Sequence, residues 1–194
     1  MKMIVASKNK GKLDEIKYIF DGLPYQIESM QEAGILDDIP ETGTTFEENA
    51  LIKARYVQKL SGGVALADDS GLEVEFLNGG PGVFSARFAG ESATDAQKNE
   101  KLLSMLKGVP FEQRGARFVC VIAVVFPDGR EFVSRGTFEG IIAEQPMGNN
   151  GFGYDPLLYI LDQQRSVAQM TEEEKNEVSH RGKALRAMLK NLIT

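Results

Sequence analysis

Strand-like and helix-like patterns alternate along the first third of the chain, and this alternation constrains the fold more than any other feature. Residues 2–6, KMIVA, form a short apolar run typical of a buried strand, and apolar residues then recur at helical spacing over 13–20. A second helix is predicted over about 46–60, followed by the apolar strand 64–67. Strands separated by helices favour parallel pairing and an α/β fold.

The later part of the sequence adds a long hairpin. Residues 116–126 and 131–143 are β-rich and are joined by 127–130, PDGR, a typical hairpin turn. A further strand is predicted over 72–76, separated from the strand 64–67 by a turn. The hairpin brings antiparallel pairing into the predicted sheet, which makes it a mixed sheet.

Capping signatures mark the starts of three predicted helices. These signatures begin at Thr45, Thr94 and Thr171. The chain closes with a helix that carries Leu185. The sequence contains no internal repeat and no linker. We therefore predict a single domain over 1–194 with a three-layer α/β fold built on a long mixed β-sheet.

The composition indicates a globular protein of ordinary polarity. Hydrophobic residues make up 42% and charged residues 26% of the chain, and the net charge is −6. This charge gives no reason to expect nucleic-acid or membrane binding. Cys120 is the single cysteine and is predicted to be a small core residue on a strand. With no window near the ~20 apolar residues of a membrane span, we predict a cytoplasmic protein.

A basic loop, SKNKGK, lies between the first strand and the first helix. Such a helix N-terminus can bind phosphate through its free backbone N–H groups and the helix dipole. The loop lacks the glycine spacing of a Walker A motif, and the alternative is a solvated helix start. The candidate phosphate ligands are Ser7, Lys8, Asn9, Lys10, Gly11 and Lys12.

Acidic residues form a second candidate site. Asp68 and Asp69 are predicted at the end of the strand 64–67, the position where α/β sheets bind ligands. Glu41 precedes them in an acidic, turn-rich segment. Oxygen ligands without a His–Cys cluster suit Mg²⁺ far better than zinc. The alternative is a plain Asp-rich turn.

Two further stretches could recognise a flat, polar ligand. The glycine-rich loop 151–156 contains two aromatic residues that could stack on a ring. It also contains Asp155, whose carboxylate could accept hydrogen bonds. Lys175 and the segment 179–181, which contains the single histidine, could bind a base or phosphates. The alternatives are aromatic residues packed on the core and a structural histidine. Together with the basic loop and the acids, these stretches indicate a nucleoside triphosphate ligand.

Six stretches in this order resemble the inosine triphosphate pyrophosphatase family. Two departures are small: Ser7 stands where the family often has Thr, and Phe84 where Tyr is common. The stretches are Ser7-x-Asn9-x-x-Lys12, the segment 41–53 (ETGTTFEENALIK), Ala67–Leu72, Pro81–Arg87, Phe152–Pro156 and Lys175-x-x-x-Ser179-His180-Arg181.

The resemblance implies Mg²⁺-dependent hydrolysis of ITP, dITP and XTP to the nucleoside monophosphate and pyrophosphate. Such an enzyme would remove deaminated purines from the nucleotide pool. The resemblance also implies two lobes flanking a central substrate cleft, and a homodimer. The alternatives are a pyrimidine-directed pyrophosphatase of the Maf type and a nucleotide-binding protein without turnover.

Individual roles follow from the same resemblance. Asp69 would act as general base and, with Glu41, as metal ligand, while Asp68 would support it. Lys53 would face the phosphates and Ser70 would touch the substrate. The base and phosphate pocket would be formed by Phe152, Gly153, Tyr154, Asp155, Lys175, His180 and Arg181. Backbone N–H groups of residues 149–153 are candidate donors to the 6-oxo group of the base, together with His180 and Arg181.

Overall fold

A seven-stranded sheet is the backbone of the computed structural model, which describes residues 1–193. The strands are β1 Lys2–Val5, β2 Gln26–Ser29, β3 Val64–Val74, β4 Gly115–Val125, β5 Glu131–Ile142, β6 Leu158–Ile160 and β7 Arg165–Ser166. Their order across the sheet is β2-β1-β3-β4-β5-β6-β7. β1 pairs parallel with β2 and β3, whereas β6 pairs antiparallel with β5 and β7. The predicted α/β fold with a mixed sheet is confirmed.

Capping signals of the sequence open the predicted helices. The helices are α1 Lys10–Phe20, α2 Phe46–Ser61, α3 Asp95–Met105, α4 Glu172–Val178 and α5 His180–Ile193. Reciprocal capping boxes start α2, α3 and α4, at Thr45, Thr94 and Thr171 as predicted. Ser179 adopts an extended conformation and separates α4 from α5, the terminal helix that carries Leu185. None of the helices in residues 1–193 is long and apolar enough to cross a membrane.

The chain divides into two compact units, and β3, β4 and β5 each contribute residues to both. Unit 1 consists of Met1–Asp69, Cys120–Gly136 and α5. Its core contains the apolar face of α1 that was predicted from the helical spacing, with Ile16 and Phe20 fully buried. Cys120 lies in the same core, as predicted.

Unit 2 consists of Ser70–Val119 and Thr137–Ser179. Its core joins apolar residues of β3, α3, β4 and β6. Tyr154 belongs to this core, and its hydroxyl donates a hydrogen bond to the Ser85 carbonyl at 2.8 Å. One aromatic residue of the loop 151–156 is therefore a core residue. The central cleft and the single-domain boundary stay predictions.

Candidate active site

Asp68 and Asp69 lie inside β3, which continues without a turn through the segment DDSG to Val74. The predicted turn after Ala67 was therefore wrong. Ser and Gly are common in turns, but apolar residues follow Ser70 and Gly71 directly, at Leu72 and Val74, and the strand continues through them. Neighbouring residues of a strand point to opposite faces. The two adjacent acids can therefore be buried with different partners.

Asp68 is the centre of a buried network of charges. One of its oxygens pairs with the Lys12 ammonium, and the other accepts hydrogen bonds from Arg181 Nε and from the Cys120 thiol, each at 2.9 Å. Arg181 also pairs with Glu15 of α1. Burial raises the pKa of Asp68, but the charges of Arg181 and Lys12 outweigh it and hold that pKa well below its ordinary value. Asp68 is thus ionised at neutral pH and pairs with two cations.

Asp69 has a different environment. Lys53 of α2 donates to Asp69 Oδ1 at 2.7 Å and to Glu41 Oε1 at 2.5 Å. Burial is the largest influence on Asp69 and raises its pKa to about 6, although Lys53 and Lys12 act in the opposite direction. A carboxylate with a pKa near the working pH is suited to general-base catalysis. The structure thus distinguishes the two adjacent acids electrostatically.

The acids around Lys53 are the groups that could bind a divalent metal. The Lys53 ammonium lies between the Glu41 and Asp69 carboxylates, so two hard oxygen donors already surround one positive charge. Within residues 1–193, no group of three or more His, Cys, Asp or Glu side chains could hold a metal. Mg²⁺ commonly takes one or two carboxylates and completes its shell with water and substrate phosphates. The residues present fit that mode of binding, and they do not form an all-protein cage.

The basic loop forms the start of α1. Asn9 caps the helix by accepting a hydrogen bond from the Lys12 N–H at 3.1 Å, and Ser7 Oγ accepts one from the Asn9 N–H at 3.2 Å. Lys8 pairs with Asp38 at 2.6 Å. The N-terminus of a helix carries partial positive charge, so this start is a suitable anion site. The first two residues of the helix are the predicted phosphate ligands Lys10 and Gly11.

A second group of predicted residues is organised in unit 2. Asp155, 3% exposed, accepts hydrogen bonds at Oδ2 from the Phe152 N–H at 2.9 Å and from Lys175 Nζ at 2.6 Å. The Lys175 ammonium also lies 4.4 Å from the centre of the Phe152 ring. This cation–π contact and the Asp155 bonds hold the aromatic ring and the loop together. Unit 2 thus brings together the ring, the acid and the lysine predicted from separate stretches.

The remaining predicted residues differ in exposure. Ser70 is partly exposed in β3, and His180 is buried at the first residue of α5. Arg181 is only 1% exposed and pairs with two acids, Asp68 and Glu15. Its predicted contact with a substrate stays a prediction.

Three of the predicted backbone donors of residues 149–153 have partners within unit 2. The N–H groups of Phe152 and Gly153 donate to the Asp155 and Asp95 carboxylates, and the Asn150 N–H donates to the Ala168 carbonyl. Each of these three N–H groups is hydrogen bonded in the structure, and their role as donors to a 6-oxo group stays a prediction.

Sequence reasoning missed two members of the Asp68 network. Glu15 follows Lys12 by three residues on α1, and this spacing places both on one helix face. That pattern could have indicated a shared partner. Cys120 was predicted only as a core residue, and its hydrogen bond to Asp68 joins positions 52 residues apart. No local signal predicts such a contact.

The raised pKa of Asp69 predicts an unusual pH dependence of stability. The folded state keeps a proton on Asp69 up to about pH 6, whereas the unfolded chain releases it near about 3.9. Between these values the folded state binds more protons, so the contribution of Asp69 falls as the pH rises, by at most about 3 kcal/mol. Urea unfolding of the wild type and Asp69→Asn, without added divalent cations, measures this. The free energy of unfolding of the wild type minus that of the variant should fall from pH 4 to pH 6, and a constant difference would contradict the assignment.

Nearly the whole chain is similar to known proteins. A model of the Ham1 family matches residues 3–191. A protein named dITP/XTP pyrophosphatase from Thermoanaerobacter pseudethanolicus is 53% identical, and the alignment covers 100% of this chain and 96% of that protein. A protein of the same name from Geobacter sulfurreducens is 48% identical, with 98% and 95% covered.

Solved structures of similar proteins have the same fold. A HAM1 protein from Coxiella burnetii superposes with a TM-score of 0.91 at 43% identity, covering 100% of this chain and 98% of that one. The Ham1 protein of Staphylococcus aureus gives a TM-score of 0.89 at 42% identity, with 99% and 98% covered. These alignments therefore extend over both compact units.

Proposed function

The chain belongs to the Ham1 family, and on this premise we propose that it hydrolyses dITP, XTP and ITP to the nucleoside monophosphate and pyrophosphate. The proposal is supported by full-length relatives at 44–53% identity that carry the name dITP/XTP pyrophosphatase. It is supported independently by the chemistry of the site. An acid with a pKa near neutrality lies beside a second acid and a shared lysine.

The reaction we propose is attack of water at the α-phosphorus, with pyrophosphate leaving. Asp69 accepts the proton of the attacking water, and its pKa of about 6 leaves it mostly ionised at pH 7 while keeping useful basicity. Glu41 and Asp69 would hold Mg²⁺, which when bound supplies positive charge to the phosphates and lowers the pKa of water.

The lysines of unit 1 are proposed to bind the triphosphate. Lys53 bridges Glu41 and Asp69, and its long stem would let the ammonium turn to a phosphate when other positive charge reaches the acids. Lys12 lies in the first turn of α1, where the helix dipole also favours an anion. Asp68 would support catalysis by holding Lys12 in place and would not need to touch the substrate.

The base is proposed to bind at the loop of unit 2. Phe152 is partly exposed and offers a ring for stacking, while Lys175 and Asp155 fix the loop that carries it. Removal of deaminated purines from the nucleotide pool would follow from the proposed specificity. The homodimer and the cytoplasmic location rest on the sequence-based expectations and stay predictions.

A product assay over several nucleoside triphosphates tests this function. We expect dITP, XTP and ITP with Mg²⁺ to give the monophosphate and pyrophosphate, and ATP and UTP to react far more slowly. Chelation of the metal should reduce the rate by at least about a hundredfold, because the metal supplies several kcal/mol of charge stabilisation.

Each alternative predicts a different result in the same assay. Orthophosphate with a nucleoside diphosphate as product would contradict the proposed bond cleavage. Turnover confined to pyrimidine nucleotides would indicate a Maf-type enzyme. Tight binding of XTP by calorimetry, with no product after long incubation, would indicate a binding protein without turnover.

A further inference from the structure

Helix α3 holds the backbone of Gly153 from both sides. Asp95 Oδ2 accepts a hydrogen bond from the Gly153 N–H at 2.7 Å, and Asn99 Nδ2 donates one to the Gly153 carbonyl at 3.1 Å. Residues four apart lie on one face of a helix, so this pair forms a single two-point contact. Both polar groups of one residue in the proposed base-binding loop are thus engaged by α3.

This contact fixes a conformation that only glycine adopts readily. Gly153 has φ +64°, in the left-handed region. The hydrogen bonds to Asp95 and Asn99 set the planes of the peptide groups on either side of it. Phe152 is the preceding residue, so the direction of its ring depends on one of these planes. The α3 contact therefore controls the group that we propose stacks on the base.

Asn99 is maintained at a cost to stability. It is 6% exposed, and its Oδ1 has no hydrogen-bond partner among residues 1–193. A buried, unpartnered polar atom is destabilising, so a role beyond packing is expected at such a position. Asn99 and Asp95 also line, together with Phe152 and Gly153, a cavity of about 890 Å³ in unit 2.

Asp95 accepts the hydrogen bond from the Gly153 N–H as a charged carboxylate. Lys98 pairs with its other oxygen at 2.6 Å. Partial burial raises the pKa of Asp95, but the hydrogen bonds from Lys98 and from the Gly153 N–H outweigh it and lower that pKa. Asp95 is therefore ionised at neutral pH, and hydrogen bonds to ionised groups are stronger than those between neutral groups.

We propose that Asp95 and Asn99 are positioning residues that set the Phe152–Asp155 segment and thereby determine which purine bases the enzyme accepts. The inference rests on the proposed function, in which this segment contacts the base. While α3 holds Gly153, its N–H and carbonyl are already engaged. Loss of either hydrogen bond would let the peptide groups at Gly153 rotate, and a carbonyl turned toward the base would be an acceptor for an amino group, such as the 2-amino group of guanine. Loss of the contact should therefore weaken discrimination between XTP or dITP and GTP.

Steady-state kinetics of four variants test the proposal. Asp95→Ala and Asn99→Ala each remove one hydrogen bond to Gly153. Asp95→Asn keeps an oxygen that can accept the same bond, and Lys98→Met removes the ion pair of Asp95 while leaving both Gly153 bonds. For every variant, kcat and KM are measured with XTP, dITP and GTP, and the melting temperature is recorded.

We expect the alanine variants to reduce the ratio of kcat/KM for XTP to that for GTP by about tenfold, the effect of one lost hydrogen bond to a charged or buried group. The change should be mainly in KM, because the reacting groups of unit 1 are untouched. Lys98→Met should keep the wild-type ratio, and Asp95→Asn should keep most of it, because its amide oxygen still accepts the bond but carries no charge.

An unchanged ratio in Asp95→Ala would overturn the inference, and so would the same change of ratio in Lys98→Met. If Asn99→Ala fails to fold, Asp95→Ala still decides, because its side chain is 48% exposed and its loss leaves no cavity in the core. Pyrophosphate release by the wild type separates the two hypotheses: its absence rejects the proposed function, whereas its presence with unaltered selectivity in the alanine variants rejects only the inference.

Discussion

Asp69→Asn should reduce pyrophosphate release from XTP by at least about a hundredfold while the protein remains folded. The amide cannot accept the proton of the attacking water, and it is a weaker metal ligand than a carboxylate. Folding should persist because Lys53 keeps its pairing with Glu41 when Asp69 is neutral. Initial rates of pyrophosphate release, together with circular dichroism and melting temperature, measure both parts of the prediction.

Asp162→Asn is the matched control, because this acid is exposed and lies outside the candidate site. It should retain the wild-type rate. Near-normal turnover by Asp69→Asn would remove Asp69 as the general base. An unfolded variant would show that this acid is needed for structure, and Glu41→Gln would then test only the proposed metal-binding role that the two acids share.

Asp68→Asn, unlike Asp69→Asn, should act mainly on stability. We expect it to lower the free energy of unfolding by about 3–5 kcal/mol. The substitution leaves Arg181 and Lys12 with one charge partner fewer in a buried network. The lowered pKa of Asp68 gives the sign of the pH dependence. Its contribution is fully present above the unfolded-state pKa of about 3.9 and is lost as the pH falls through the lower folded-state pKa. Urea unfolding at pH 7 measures the loss.

Glu73→Gln offers a matched control on the same strand. Glu73 pairs with Arg117 at 2.7 Å, but the Arg117 side chain is 45% exposed, so the loss should be no more than about 1 kcal/mol. If Asp68→Asn proves as stable as the wild type but inactive, the structural role assigned to Asp68 is wrong, and this acid acts on the substrate or the metal.

Local signals made part of this fold predictable. Capping boxes such as Thr45 with Glu48 involve residues three positions apart, and the apolar face of α1 repeats over one or two turns. Interactions between residues so close in the chain can be predicted from short stretches of sequence. The continuous strand β3 was not predicted, because Ser70-Gly71 has the composition of a turn and the partners that stabilise Asp68 and Asp69 lie elsewhere in the chain.

The sequence predicted which residues belong to the candidate site, but it did not predict which of these residues pair with each other. Motifs named the acids, the lysines and Phe152, yet none indicated that Lys12 pairs with Asp68 while Lys53 pairs with Asp69. The hydrogen bond from Arg181 to Asp68 joins residues 113 positions apart. Such pairings depend on how strands and helices are arranged, and a single sequence does not contain that information in local form. The contact of Asp95 with Gly153 was missed for the same reason.

Lys53 has a consequence for the charge of the candidate site without a ligand. Two carboxylates and one ammonium leave the group with a single net negative charge, so the chain carries an internal counter-ion. The mutual repulsion of Glu41 and Asp69 is relieved before any external ion is present. The charges of unit 1 at this point are therefore largely compensated by the protein itself, and a single negative charge remains for a cationic ligand.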